Sequence, residues 1–180
     1  MKEVTVCGDK KIYVFDDLFK MQEKEHFFEY MQTSNYKITS NSSSIDNDYS
    51  TITSFYSEEE LSSGRLKFYY TEGYKFIDKM FDLSKRQKKQ IRVNCFSNSS
   101  RNLPHTDNLG LTLLYYVNLK WEVHWSGHTA FLNEDLSEIE HTIIYKPGRL
   151  VIFDATIPHM ILIPTKEADY HRLTFVIQYK

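Results

Sequence analysis

The sequence predicts an α+β, mainly β fold: a double-stranded β-helix (a jelly roll, cupin-like) with N-terminal helices packed on one of its sheets. Three observations lead there. From Ile91 onward, short runs rich in β-branched and aromatic residues follow one another, parted by turn residues such as Pro147-Gly148. Two stretches of helical periodicity come before them. Aromatic side chains are abundant, with 13 Tyr and 12 Phe in 180 residues, which suits a β-rich core. A chain of this length reads as one domain over 1–180, with 1–90 as helical support and lid and 91–180 as the β-helix core.

Taken in order, Lys11–Phe15 is a short strand, and Asp16 or Asp17 caps a helix running to about Met31. Leu18, Met21, Phe27, Phe28 and Met31 lie on or near one face of it. The polar stretch Thr39–Asp48 (TSNSSSIDND) is too hydrophilic for a core, and reads as a connector or as a lid over a site. A second helix is expected over Arg65–Phe81. There Leu66, Tyr70, Gly73, Ile77 and Met80 recur at helical spacing, and the small Gly73 suits close approach to a sheet. Lys85–Lys89 (KRQKK) reads as a solvated helix end. Strands are then expected at Ile91–Phe96, Leu111–Asn118, Gly127–Leu132, Ile143–Tyr145, Arg149–Asp154, Met160–Ile163 and Arg172–Tyr179.

Composition excludes some classes of partner. A net charge of −2 gives a whole-molecule field that favours neither nucleic acid nor a membrane surface. No apolar run approaches the ~18 residues of a membrane helix, and no basic-then-apolar leader opens the chain. Cys7 and Cys95 lie far apart without metal-type spacing, so reduced thiols in a cytoplasmic protein are expected. In that setting the glycosylation-type triplets at Asn41 and Asn98 carry no weight.

The chemistry concentrates in His105-Thr106-Asp107, His159 and Arg172. Two imidazoles and one carboxylate can take one face of a non-haem Fe(II) ion and leave the opposite face open. His-x-Asp alone is a weak signal. The four positions gain weight together, because each flanks a β-rich run. In Arg172–Tyr179, a two-residue repeat puts Arg172, Thr174, Val176 and Gln178 on one face and Leu173, Phe175, Ile177 and Tyr179 on the other. The second set is apolar or aromatic and should meet the helices. The first set then faces the barrel, where a guanidinium needs an anion: a ligand carboxylate, or else Asp154 or Asp169. The same phase groups Thr112, Leu114, Tyr116 and Asn118 inward. His124 and His128, flanked by Trp121 and Trp125, read as ordinary loop and strand residues. Asp154 either orients a ligand histidine or caps a turn.

The segment His105–Trp121 (HTDNLGLTLLYYVNLKW) together with Gly148–Lys180 resembles the Fe(II)/2-oxoglutarate dioxygenase superfamily, in its prolyl-4-hydroxylase-like branch. The resemblance is strong over 91–180 and loose before it. It implies that His105, Asp107 and His159 ligate Fe(II), and that Arg172, Tyr116 and Thr174 bind the cosubstrate 2-oxoglutarate. Dioxygen would be the oxidant and ascorbate an optional reductant. The implied activity is hydroxylation of an unactivated C–H bond in a peptidyl proline, a free amino acid or another small molecule. Arginine at 172 sets the chain apart from the collagen-type enzymes. Phe96 stands where the family usually carries a tyrosine, Gly127-His128 replaces a Gly-Gly pair, and the interval from His159 to Arg172 is long. Retention of Asp107 argues against a halogenase. The competing readings are a cupin-like binding domain without turnover, and a metal-dependent isomerase or hydrolase on the same barrel.

Overall fold

A computed structural model of the chain describes residues 1–40, 50–62, 65–107 and 110–180. In chain order its strands are β1 (Lys2–Val6), β2 (Lys10–Phe15), β3 (Lys37–Ser40), β4 (Ser50–Phe55), β5 (Lys88–Phe96), β6 (Leu111–Tyr116), β7 (Thr129–Leu132), β8 (Ile139–Ile143), β9 (Leu150–Asp154), β10 (His159–Ile161) and β11 (Arg172–Tyr179). They form an eight-stranded sheet in the order β1-β2-β9-β6-β11-β5-β4-β3 and a three-stranded sheet in the order β10-β7-β8. Every pairing is antiparallel. The smaller sheet packs over one face of the larger, which makes a jelly-roll-like core with helices on the outer face.

Side-chain alternation decides the two faces. On β11, Leu173, Phe175, Ile177 and Tyr179 join the core under the helices, while Val176 joins the core between the sheets. β6 follows suit: Leu113 and Tyr115 point one way, Leu114 and Tyr116 the other. Tyr115 is fully buried, with the rings of Phe19 and Phe27 at centroid distances of 5.1 and 5.9 Å. Offset and edge contacts of this kind add to the burial of apolar area.

The helices differ from the sequence expectation, for local reasons. The first, α1, spans Met21–Gln32, and buries Phe27 and Met31 one turn apart. It starts several residues later than Asp16 or Asp17. Asp16 instead receives Nε and Nη2 of Arg149 at 2.8 and 3.0 Å, and Asp17 lies in the left-handed region at φ 59. The start is fixed by Glu23, whose carboxylate accepts from the Lys20 amide at 2.7 Å. After a short helix α2 (Glu58–Ser62), the expected helix over Arg65–Phe81 breaks in two. A 3₁₀ turn occupies Phe68–Tyr70, Thr71 is extended, and α3 runs over Glu72–Phe81. The break is a cap: the Thr71 hydroxyl accepts from the Tyr74 amide at 3.1 Å.

Strands β1, β3 and β4 were not anticipated, so the first third of the chain gives four strands to the large sheet as well as helices. Lys88 and Lys89 open β5 rather than ending a helix. The strand expected at Ile143–Tyr145 lies earlier, at Ile139–Ile143. Of the Thr39–Asp48 stretch, Thr39 and Ser40 belong to β3, and the rest falls outside the described residues, so the lid expectation does too. No described helix is long and apolar enough to cross a membrane.

Gly73 is required by packing against a loop, not against a sheet. A Cβ there would come within 2.5 Å of the Leu18 carbonyl oxygen and 3.0 Å of the Phe19 ring. Gly73→Ala gains helix propensity worth about 0.5–1 kcal/mol, but a backbone oxygen cannot step aside cheaply. Overpacking of about 1–3 kcal/mol should win, and urea unfolding of the variant is expected to show a net loss of stability.

Candidate metal centre and cavity

His105 and His159 are brought together by the backbone. They form an isolated antiparallel bridge in which the His105 amide donates to the His159 carbonyl at 3.0 Å and the His159 amide returns the bond at 2.9 Å. Residues paired in this way carry their side chains on one face, and the two ring centroids lie 4.5 Å apart. Asp107 is fixed by its own amide, which donates to the Ala155 carbonyl at 2.8 Å. The three potential donor atoms all lie within 4.8 Å of one another, and the group could hold a metal ion. His105 is exposed at the mouth, while Asp107 and His159 are buried.

The donor chemistry fits a divalent cation. His105 Nδ1 lies 2.9 Å from the Leu103 carbonyl, and His159 Nδ1 lies 2.9 Å from the Ile157 carbonyl. A carbonyl only accepts, so each Nδ1 donates to it, and Nε2 is the ring atom left to face a metal. Burial, reinforced by the neighbouring His105, holds His159 well below the usual imidazole range, so its ring is neutral at pH 7. Asp107 Oδ2 accepts from Thr112 Oγ1 at 2.6 Å, which orients the carboxylate. Asp154, by contrast, accepts from the Thr156 amide and hydroxyl at 2.8 and 2.6 Å and thus caps a turn.

A cavity of about 480 Å³ runs inward from this cluster to Arg172. The guanidinium is wholly buried, and no carboxylate lies within 4.0 Å of it among the described residues. Asp154 is occupied at its turn and Asp169 is exposed, so neither serves as its partner. Instead Nε donates to the Gly127 carbonyl at 2.6 Å, Nη1 to Thr174 Oγ1 at 3.2 Å and Nη2 to Thr129 Oγ1 at 3.3 Å. These bonds use three of the five guanidinium N–H groups. The rings of Tyr145, Tyr116 and Phe96 lie 5.2, 5.5 and 5.9 Å from Cζ. Gly127, at φ 72, makes room for this arrangement, since a Cβ there would come 3.0 Å from the Trp121 ring and 3.2 Å from Arg172 Cδ.

Arg172, Thr174, Phe96 and the three-residue cluster all face the cavity. Tyr116 does not line it. Its hydroxyl donates to Thr129 Oγ1 at 2.8 Å, its ring stacks on Tyr145 at 4.4 Å, and Thr129 presents the hydroxyl that reaches the cavity. His124 lies on a 3₁₀ turn, and His128 Nδ1 accepts from the Tyr145 amide at 3.1 Å. Sequence reasoning missed Thr129, Asn102 and the polar wall of β5, where Gln90, Arg92 and Asn94 face the cavity. Their signal was available: polar residues at every second position of that strand, with Ile91, Val93 and Cys95 between them.

No family model matches the sequence, and no curated protein does. Solved structures do match. A prolyl hydroxylase from Trichoplax adhaerens, in complex with a hypoxia-inducible-factor peptide fragment, superposes with a TM-score of 0.64 at 15% identity, over 93% of this chain and 82% of that one. An oxidoreductase of the 2OG-Fe(II) oxygenase family from Burkholderia pseudomallei gives 0.68 at 8% identity, over 94% and 84%. The non-haem α-ketoglutarate-dependent epimerase SnoN from nogalamycin biosynthesis gives 0.66 at 12% identity, over 94% and 77%. The chain thus has the fold of the prolyl hydroxylases and other 2OG-Fe(II) oxygenases and carries, at the mouth of its barrel, a His-Asp-His cluster that could hold their metal.

Proposed function

We propose that the protein is an Fe(II)- and 2-oxoglutarate-dependent oxygenase that hydroxylates an unactivated C–H bond. The observation that carries this reading is the distribution of charge in one cavity. Its outer end has two imidazoles and a carboxylate; its inner end has a buried guanidinium with no carboxylate beside it among the described residues. Burial disfavours a charge that arginine does not surrender at neutral pH. An anionic ligand removes that conflict, and a dicarboxylic acid can reach both ends at once. A metal-binding barrel without this cosubstrate has no use for such a charge.

His105, Asp107 and His159 would hold the ferrous ion. When bound, Fe(II) with 2-oxoglutarate and dioxygen would supply the oxidant, one oxygen atom ending in the hydroxylated product and the other in succinate, with loss of carbon dioxide. The chain supplies position. Arg172 grips the far carboxylate through the N–H groups its protein partners leave over, in a fork that lysine does not reproduce. Thr174 and Thr129 hold the fork on either side, and Tyr116 acts through Thr129 as a positioning residue. Thr112 keeps Asp107 in its rotamer, and the walls of Phe96, Leu114, Phe153 and Val176 limit water around the reacting atoms.

Anaerobic addition of Fe(II) and 2-oxoglutarate should produce a weak visible charge-transfer band, absent with either component alone and abolished in His159→Ala. No band in the wild-type protein removes the proposal. Arg172→Lys should weaken 2-oxoglutarate binding by about 1.5–3 kcal/mol, the scale for hydrogen bonds to charged groups, and titration of that band measures it. Thr112→Val keeps the shape and loses the bond to Asp107. Divalent-ion affinity should fall about 10–100-fold, as for other outer-shell partners, which a competition titration with a metal indicator would read.

A further inference from the structure

We propose that the substrate of this cavity is a small molecule bearing a free carboxylate, received by Arg92 and Lys89 on β5. The inference rests on the cosubstrate assignment above and extends it to the other ligand. On that assignment, the charges of the dication and Arg172 are offset by Asp107 and the two carboxylates of 2-oxoglutarate. Asp107 is also the only acidic side chain lining the cavity among the described residues. Arg92 and Lys89 face the same space, and on this accounting no acid among the described lining residues is left to offset them.

Neither cation is placed there by default. The side chain of Arg92 is only 19% exposed, and its nearest acid is Asp107, at 3.9 Å from Nη2, the carboxylate already claimed by the metal. Its Nη1 donates to Gln90 Oε1, which fixes the guanidinium along the cavity wall. Lys89 comes to the cavity through an irregularity in the sheet. Gln178 pairs with Gln90 but Tyr179 pairs with Lys88, so Lys89 is an extra residue in β5. A bulge of this kind re-aims a side chain, and it lets two successive residues, Lys89 and Gln90, both line the cavity. Lys89 makes no ion pair among the described residues, whereas its neighbour Lys88, on the other side of the strand, pairs with Glu58 at 3.5 Å.

Size favours a free molecule over a chain segment. A cavity of about 480 Å³ lies in the lower half of the range for small-ligand sites, roughly 300–1,000 Å³, and 2-oxoglutarate would take part of it. What remains suits something of amino-acid size, with its carboxylate on Arg92 and Lys89. Asn94, on the same face of β5, offers a further amide to it.

The test compares acids with their amides by calorimetry, using wild-type protein loaded with Mn(II) and saturated with 2-oxoglutarate under nitrogen. Saturation keeps the probes off Arg172. L-Proline, L-leucine, L-lysine and L-aspartate are titrated, each beside its C-terminal carboxamide, together with a capped proline peptide. The expected result is that at least one acid binds 10-fold or more tightly than its amide, and that the ratio falls below 3 in Arg92→Gln while Arg92→Lys keeps part of it. Acid and amide binding alike, an unchanged ratio in Arg92→Gln, binding of the capped peptide alone, or no binding by any acid each overturns the proposal. Failure of the underlying assignment is visible separately, as absence of 2-oxoglutarate binding before any probe is added. The acid-to-amide ratio in the wild-type protein decides the matter even where a variant does not fold.

Discussion

The arrangement of the barrel interior follows from one constraint, a guanidinium held out of water with no carboxylate beside it among the described residues. Removing such a charge from solvent costs several kcal/mol unless hydrogen bonds and a counter-charge replace the lost hydration. The protein supplies the first part only. Gly127, Thr129 and Thr174 take hydrogen bonds, and three aromatic rings surround Cζ. Each of these in turn needs support. Tyr116 holds Thr129, and Tyr145 stacks on Tyr116. The Tyr145 hydroxyl lies 2.6 Å from Asn118 Oδ1 and 2.7 Å from the Leu173 carbonyl. Asn118 then accepts from the Leu173 amide at 2.8 Å and donates to the His171 carbonyl at 2.9 Å, pinning the entry to β11 on either side of Arg172. The chain of contacts ends where it began. Its effect is to leave the charge rigid and available to a ligand.

Rigidity also comes from the opposite face of the large sheet. β5, β6 and β11 each send one set of side chains into the helical layer and the other into the cavity. Packing of Phe27, Phe68 and Tyr115 on the outer side thus fixes the strands whose inner residues face the cavity. Sites built on paired strands hold their geometry better than sites on loops. The His-Asp-His cluster obeys the same rule at its edge, since two of its members are locked to each other by backbone bonds and the third to Ala155.

How much of this could be read from the sequence depended on whether a local pattern stood for a single environment. β11 was legible because its alternation is clean: the opposite face is wholly apolar or aromatic, which leaves Arg172 on the inward face with Thr174, Val176 and Gln178. His105, Asp107 and His159 were legible as a set, through their positions beside strands. The start of α1 misled because Asp16 looks like a cap, and only the fold reveals that Arg149 needs it. Thr71 interrupts a sound helical period, because its hydroxyl is a better partner for the Tyr74 amide than a continuing turn. β1, β3 and β4 are edge or near-edge strands with polar, partly exposed residues, and carry little periodicity. Tyr116 was assigned the right face, but the depth at which it ends, behind Thr129, is set by β7, a strand remote in sequence.

The bulge at Lys89 shows the limit most clearly, and also divides the labour among the strands. Without it, strict alternation would send Lys89 to the helical side, where Ile91 and Val93 are buried, and the run KRQKK would be no more than a charged surface. With it, β5 and β4 form a polar wall beside the elements that hold Arg172 and the histidines, namely β6, β7, β10 and β11, and only its end at Phe96 packs on Arg172. On the proposed function, the second group would have to satisfy the fixed geometry of a metal and a dicarboxylic acid. The first group would be free to vary with the substrate proposed for it. On that reading a shared fold constrains the reaction far more than the substrate, because the strands that would select the substrate are not the strands that would hold the metal and cosubstrate.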